Sequence, residues 1–484
     1  MRERDTNGLR SEIEAIVGPN QVLAERDELL AYECDGLTFH RAAPDLVVFP
    51  RSTGEVSRLL ELALRHGIPF VARGSGTGLS GGAIASRGGI VVETSRMKAI
   101  GDVDCEDRSV VVQPGAINLE VSRRAAPAGF FYAPDPSSQV ACTIGGNVAE
   151  NSGGPHCLKY GTTVNHVLEL EAVLTGGAVV RFGSAAADPP GYDLCGVFVG
   201  SEGTFGIATE IRLRLMRASP AVRTLLAAYP EIGPATEAVS AIVAAGIVPV
   251  ALEMMDHSII QAIENSHYRA GYPLAAGAVL LVEIEGIEAA LDAREAEIRS
   301  ICSEKGSTEI RVARDAGERA ALWAGRKGAF GAVGRLSPNM YLSDTVVPRN
   351  RLPEVLARVG EISRKYGIRV ANVFHAGDGN LHPILLYDEK DPEQTSRMLA
   401  ACREIVEVSL EAGGSLSGEH GIGLDKRDYM DRQFSEPDLE AMLRVKRAFD
   451  PRALCNPEKV IPQRIGCGEA RRWDPKRLPE GVWV

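Results

Sequence analysis

The chain has 484 residues, more than one ordinary core accommodates, and its composition, 45% hydrophobic and 24% charged, excludes a disordered or fibrous protein. A formal net charge of −11 argues against a nucleic-acid partner, because phosphate binding needs clustered positive charge. Nine scattered cysteines without a CxxC pair fit free thiols in a reducing cytoplasm and offer no ligand set for an iron–sulfur cluster.

Residues 1–44 read as an N-terminal helical segment whose charged start lacks the apolar run of a secretory signal. From Asp45, "DLVVF" predicts a buried strand, "STGEVSRLLELALRHG" a helix and "IPFVA" a second strand, together a βαβ unit. Ser52 and Glu55 fit a capping box, and Gly67 can close the helix. "GIVVET" and "SVVVQPG" predict two further strands, "INLEVSRRAA" a helix, and "HVLELEAVLTGGAVVRFG" a hairpin turning at Gly176–Gly177. "GTFGIATEIRLRLM" alternates as a strand does, and the break "RASPA" places a domain boundary near Arg217. Beyond it, helices such as "EAALDAREAEIRSICSEKG" alternate with strands such as "AVLLVEIEG" and "RVANVFHAG", predicting an α+β domain with its own sheet. "EPDLEAMLRVKRAFDP" reads as a helix, and residues 463–484 as an aperiodic tail. The most apolar stretch, Ala238 to Leu252, is broken by Gly246 and Pro249 and is short for a membrane span.

The loop "RGSGTGLSGGA", Arg73 to Ala83, matches GxGxxG literally at Gly76, Gly78 and Gly81. A dinucleotide loop of that kind must open into a helix facing the pyrophosphate, whereas "GGAIASRGG" follows here and starts no helix cheaply. What remains is a run of backbone N–H groups able to wrap a pyrophosphate, with Arg73 adding charge; a mobile turn reads equally well. "APDPSS", "TIGGNVAENSGG" and "GSEGTFGI" are further glycine-rich or polar turns without periodicity, and so many suggest one long ligand.

"NVFHAGDGNLHP" carries His375 and His382 on either side of a Gly377-Asp378-Gly379 break, so one helix cannot hold both. A hairpin brings both imidazoles to one side, and Glu419 in "SGEHG" supplies the carboxylate of a divalent metal site with open positions. Asp378 and Asn380 are candidate acceptors fixing the imidazole tautomers. Two histidines satisfied by backbone hydrogen bonds at a turn remain the plainer alternative.

The order "RGSGTGLSGG", "PDPSS", "TIGGNVAENSGG", "GSEGTFGI" resembles the FAD-binding domain of the vanillyl-alcohol-oxidase superfamily. "WAGRKGAFGAVGRLSP", "RVANVFHAGDGNLHP", "SGEHGIG" and "NPEKVIP" look like the C-terminal domain of the FAD-linked 2-hydroxy-acid dehydrogenases, which include D-lactate dehydrogenases and the FAD subunits of bacterial glycolate oxidase. The resemblance implies an α+β fold. A two-part FAD-binding domain of the vanillyl-alcohol-oxidase (PCMH) type spans residues 45–217. An α+β substrate (cap) domain with an antiparallel sheet spans 218–462, its end from about 415 packing back on the flavin.

By the same resemblance Arg73, Gly74, Ser75, Gly76, Thr77 and Gly78 hold the pyrophosphate. Pro134, Asp135, Ser137, Gly145, Gly146, Asn147, Asn151 and Ser152 line the ribityl and isoalloxazine parts, and Glu202, Gly203, Gly206, Ile207 and Asn456 complete the pocket. Thr77 stands where covalent members carry a histidine, so the FAD is expected without a covalent bond. His375, His382 and Glu419 become ligands of a divalent Zn, Mn or Fe ion, His420 the base for the substrate hydroxyl, and Arg326 the grip on its carboxylate, although a solvated helix arginine is the alternative for Arg326. D-2-hydroxyglutarate-type relatives carry a basic residue after the tyrosine matching Tyr341; Leu342 here favours a small monocarboxylate, glycolate or D-lactate.

A flavin-related subunit and an iron–sulfur subunit are the expected electron acceptors, in a cytoplasmic protein peripheral to the inner membrane through those partners, with no span of its own. A stand-alone D-lactate dehydrogenase, an NAD-dependent enzyme and a non-catalytic flavin-binding subunit are the rival readings.

Overall fold

The computed structural model describes residues 6–186 and 191–462, so the expected tail lies outside the described residues. Strands Leu46–Val48, Ile90–Glu93 and Phe70–Arg73 are fully or nearly fully buried, and they pair in parallel in that order. The helix Thr53–His66 connects the first to the last, laying Val56, Leu59, Leu60 and Ala63 on the sheet. Ser52 Oγ caps it by accepting from Glu55 N–H, and Gly67 closes it in the left-handed conformation. The Glu55 carboxylate takes the N–H of Arg51 rather than that of Ser52, so only half of the expected capping box forms. The N-terminal segment holds the helix Thr6–Val17 and, beyond expectation, a strand Val22–Leu23 that pairs with Leu46–Val48.

The expected strand in "SVVVQPG", Ser109–Val112, leaves this sheet for a second one. There the order is Ser109–Val112, Ile207–Arg214, Val167–Val173, Val179–Gly183, all antiparallel, and the last two form the hairpin around Gly176 and Gly177. "TIGGNVAENSGG", read as a turn, contains the helix Ile144–Glu150. Its two glycines hide it from propensity, but Thr143 Oγ1 caps it by accepting from Gly146 N–H. Gly145 permits the close approach, since a Cβ there would lie 2.6 Å from Pro114 Cβ.

The second half of the chain is organised on a nine-stranded sheet built from antiparallel pairs. Alternation along Ala221–Tyr229 sends Leu225, Ala227 and Tyr229 into one core and Leu226 and Ala228 into the other, so helices cover both faces. On this sheet strand Ala251–Asp256 pairs with Arg369–His375, which in turn pairs with Asn380–Leu381 and Pro383–Tyr387. Among the described residues no helix is long and apolar enough to cross a membrane.

Candidate active site

A cavity of about 510 Å³ runs between the two halves of the chain. Arg73 to Gly78 line it, with Ser137, Gly145, Gly146, Asn147, Ser152, Glu202, Gly203, Gly206 and Ile207; Arg326, His375, His382, Glu419 and His420 line the same cavity. The glycine loop starts no helix, as its composition demands. Gly74 lies so close to the capped helix that a Cβ would sit 2.2 Å from Thr143 Oγ1.

The other expected cofactor residues stand behind the wall. Pro134 O accepts from Asn118 Nδ2 at 3.0 Å, and Asn151 Oδ1 from Val164 N–H at 2.9 Å. Asn456 Nδ2 donates to Gly82 O and Glu202 O, each at 2.8 Å, tying two wall loops together. Asp135 is paired to His156 Nδ1 and Lys327 Nζ, both at 2.9 Å. Burial opposes its ionisation, but those two cations hold the carboxyl well below its ordinary range. Arg73 supports the loop from inside, its Nη2 donating to Cys34 O at 2.9 Å. Glu202 accepts the backbone N–H groups of Ile422 and Gly423 at 2.7 and 2.6 Å, joining the flavin-loop side to the turn that carries His420.

The hairpin brings the two histidines together: their rings are 5.2 Å apart and nearly perpendicular. Glu419 Oε1 lies 3.1 Å from His375 Nε2 and 3.4 Å from His382 Nε2. His375 Nδ1 is 2.8 Å from Glu253 Oε1, and because a carboxylate only accepts, this nitrogen is the donor. Arg326 Nη2, 3.4 Å from the same nitrogen, is therefore not its partner; it pairs with Glu253 Oε2 at 2.5 Å. His375 Nε2 and the Glu419 carboxylate are then two acceptors face to face, which requires a proton or a cation between them. His382 Nε2 is buried without a hydrogen-bond partner beside them.

Ligand atoms about 2.1 Å from an ion stand about 3.0–3.4 Å apart at octahedral or tetrahedral angles, so these separations fit a metal site. Burial disfavours charge on His375, yet Glu253 and Glu419 raise it to about 10, so a proton held there competes with any metal for Nε2.

A second group, Asp344, His382 and His420, also converges. Its carboxylate is already saturated, accepting Ser417 Oγ–H at 2.6 Å, the N–H groups of Gly418 and His420 at 3.1 and 3.0 Å, and Lys426 Nζ at 3.3 Å. Asp344 thus shapes the "SGEHG" turn, and its oxygens are less free to hold an ion than those of Glu419.

His420 stacks on His382, with ring centroids 4.9 Å apart, and its Nε2 is 3.8 Å from Glu419 Oε1. Burial, reinforced by His382 and Lys426, lowers the His420 imidazole to about 4 against the pull of Asp344 and Glu419. The imidazole is accordingly neutral and able to accept a proton. Arg326 is 4% exposed, which eliminates the solvated-arginine reading, and its Nε is buried without a partner.

Asp378 and Asn380 do not fix the imidazoles: Glu253 takes His375, and Asn380 Oδ1 is itself unpartnered. Glu253 and Asp344 escaped the sequence reading. The only signals were an acidic residue inside the apolar strand "ALEMMD" and another just after "NMYL". Lys327 is engaged by Asp135 rather than free for substrate.

The FAD binding domain family matches residues 44–183, and the family of FAD linked oxidases, C-terminal domain, matches residues 218–460. The chain is 45% identical over 449 residues to the glycolate oxidase subunit GlcD of Escherichia coli (strain K12), covering 93% of this chain and 90% of that protein. It is 30% identical over 462 residues to the mitochondrial D-lactate dehydrogenase [cytochrome] of Arabidopsis thaliana, covering 94% of this chain and 80% of that one. Among solved structures, p-cresol methylhydroxylase with substrate bound superposes with a TM-score of 0.81 at 18% identity, covering 94% of this chain and 96% of that one, and shares the fold. A glycine-walled cavity continuous with an acceptor cluster, in a chain matched over both halves, places this protein in the family of FAD-linked oxidases.

Proposed function

We propose that this chain oxidises a small 2-hydroxy acid, glycolate or D-lactate, as the FAD subunit of a glycolate oxidase-like assembly. The observation that carries the reading is the convergence of three acceptor atoms, His375 Nε2, His382 Nε2 and Glu419 Oε1, on the wall of the cavity that the glycine loop also lines.

FAD fits the long glycine-rich side, held without a covalent bond because the loop offers Thr77 and no histidine, and when bound it accepts the hydride from C2 of the substrate. His375, His382 and Glu419 would hold a divalent ion, Zn, Mn or Fe, which would supply Lewis acidity to the substrate hydroxyl.

The chain's own residues do the rest. Glu253 orients His375 through Nδ1 and anchors Arg326, leaving Arg326 Nε as a buried donor for the substrate carboxylate. Neutral His420 removes the hydroxyl proton as the C2 hydride leaves. Asp344 holds the turn that presents His420. The eight described cysteines are free thiols, dispersed through the fold, so electrons leave through other subunits; a flavin-related and an iron–sulfur subunit fit that need. We place the FAD-binding domain at residues 45–217 and the substrate domain at 218–462.

The test is anaerobic. Mixing the yellow protein with glycolate or D-lactate should bleach the flavin, and His420→Ala or a strong chelator should abolish bleaching while added NAD changes nothing. A flavin that stays oxidised across a panel of 2-hydroxy acids, with metal bound, overturns the reading.

A further inference from the structure

The ground beside the three acceptor atoms is apolar, and strand register puts it there. Val373 precedes His375 by two residues on strand Arg369–His375, so both face the same way. Ile384 follows His382 by two, and Leu342 lies opposite Ile384 in the pairing of Asn339–Leu342 with Pro383–Tyr387. All three side chains line the cavity and are buried.

Tyr268, from the segment between helix His257–Glu264 and strand Ala278–Gly286, lines the same cavity and packs against the core that holds Leu342, Val373 and Ile384. Its ring lies flat against helix Ala316–Val333 where that helix has glycine: a Cβ on Gly328 would be 2.4 Å from Tyr268 Cγ and Cδ1, and one on Gly331 3.5 Å from Cε2. Arg326 stands on the same helix, two residues before Gly328.

The segment is braced rather than free. Ser266 Oγ accepts Tyr268 N–H at 3.0 Å, Glu264 Oε1 accepts the N–H groups of Ala270 and Tyr272 at 3.0 and 2.9 Å, and Tyr272 Oη donates to Leu322 O at 2.5 Å. Backbone bonds thus hold the segment while the Tyr268 ring packs on the helix at Gly328 and Gly331, which gives the cavity a fixed boundary there.

We infer that Tyr268 sets the length of the substrate side chain: the C3 end of a 2-hydroxy monocarboxylate enters a cup formed by Leu342, Val373, Ile384 and the Tyr268 ring. This rests on the 2-hydroxy-acid reading and narrows it to short apolar side chains. A second carboxylate finds no donor on this floor, and a long chain meets the ring. A methylene gained or lost in such a pocket changes kcat/KM by about 10-fold or more.

The test uses the full-length flavin-loaded protein with an artificial dye acceptor and a series running from glycolate through D-lactate and D-2-hydroxybutyrate to D-2-hydroxyhexanoate. The corresponding 2-oxo acids are titrated against the oxidised flavin to give dissociation constants without turnover. Wild type should fall steeply towards the six-carbon acid. Tyr268→Ala should raise kcat/KM for 2-hydroxyhexanoate relative to glycolate by about 10-fold or more, chiefly through KM, with a matching gain in 2-oxohexanoate binding. Tyr268→Phe should keep the wild-type ranking. Tyr268→Leu, which retains a packed group against Gly328, gives the same reading where the alanine variant loses flavin. A ranking indifferent to truncation overturns the inference alone; a wild type that oxidises no member of the series overturns the 2-hydroxy-acid reading beneath it.

Discussion

Glu253 and His375 are direct cross-strand partners, and the 2.8 Å bond between Glu253 Oε1 and His375 Nδ1 follows from that register. Strands Ala251–Asp256 and Arg369–His375 pair antiparallel, so a one-residue slip would turn the carboxylate to the other face of the sheet. The register therefore decides which ring nitrogen of His375 faces the cavity.

Glu253→Gln should keep the fold but weaken metal retention by about 10–100-fold, because a neutral amide no longer offers His375 a charged acceptor. Glu253→Ala should in addition destabilise the protein by about 3–5 kcal/mol, since it leaves Arg326 buried without its counterion. Metal analysis after dialysis and denaturant unfolding check the two parts. Equal metal content in wild type and Glu253→Gln would refute the orienting role.

Glu419 and Asp344 belong to the two side-chain groups that could hold the proposed divalent ion, and substitution separates them. Glu419→Gln should weaken metal retention and stop turnover, because it exchanges the one charged ligand of the three for a neutral amide oxygen. Asp344→Asn should retain metal, since the Asp344 oxygens are occupied by N–H, O–H and ammonium donors, but should lower the thermal midpoint and kcat by loosening the turn that carries His420. The opposite pattern in metal content would assign the site to Asp344, His382 and His420.

Gly74→Val should strip flavin from the purified protein. Its Cβ would meet Thr143 Oγ1 at 2.2 Å, pushing the loop from the capped end of helix Ile144–Glu150. The ratio of visible to ultraviolet absorbance reads the loss, and a variant with full flavin content would show that the loop does not shape the cavity.

Asp135 pairs with both His156 and Lys327, tying the flavin-side wall to the helix that carries Lys327, and the contribution of its pair with His156 depends on pH. Burial pulls His156 down, but Asp135 and Glu283 outweigh it and hold the imidazolium to about 10. A group raised above its unfolded value of about 6.5 stabilises fully below that pH and ceases to do so as pH passes the folded value. Asp135 is depressed, so its share is present above its unfolded value of about 3.9 and is lost in acid. The thermal midpoint of wild type should therefore exceed that of His156→Gln most between about pH 5 and 6.5, the gap closing towards about pH 10. A gap independent of pH would contradict the assignment.

The elements that sequence reading recovered are those with local causes. Ser52 caps, Gly67 stops, and Gly176–Gly177 turns because each acts on its own few residues of backbone. The helix Ile144–Glu150 escaped because two glycines conceal it and its cap alone announces it. Arg73, Asp135 and Asn456 were legible as residues of the cavity region but not in their roles, which depend on carbonyls and charges contributed from elsewhere in the chain.

By itself the sequence determined that a glycine-rich loop follows a strand without starting a helix, that its nine cysteines form no CxxC pair, and that His375 and His382 flank a turn. These are consequences of backbone freedom and residue chemistry over short spans. Only the tertiary structure decided that Glu253 orients His375, that Asp344 is spent on the turn, that Arg326 is buried beside the acceptors, and that Tyr268 lines the same cavity. Each of those choices is made by strand register and close packing between segments far apart in the chain, and burial then makes every unpaired charge too costly to leave without a partner.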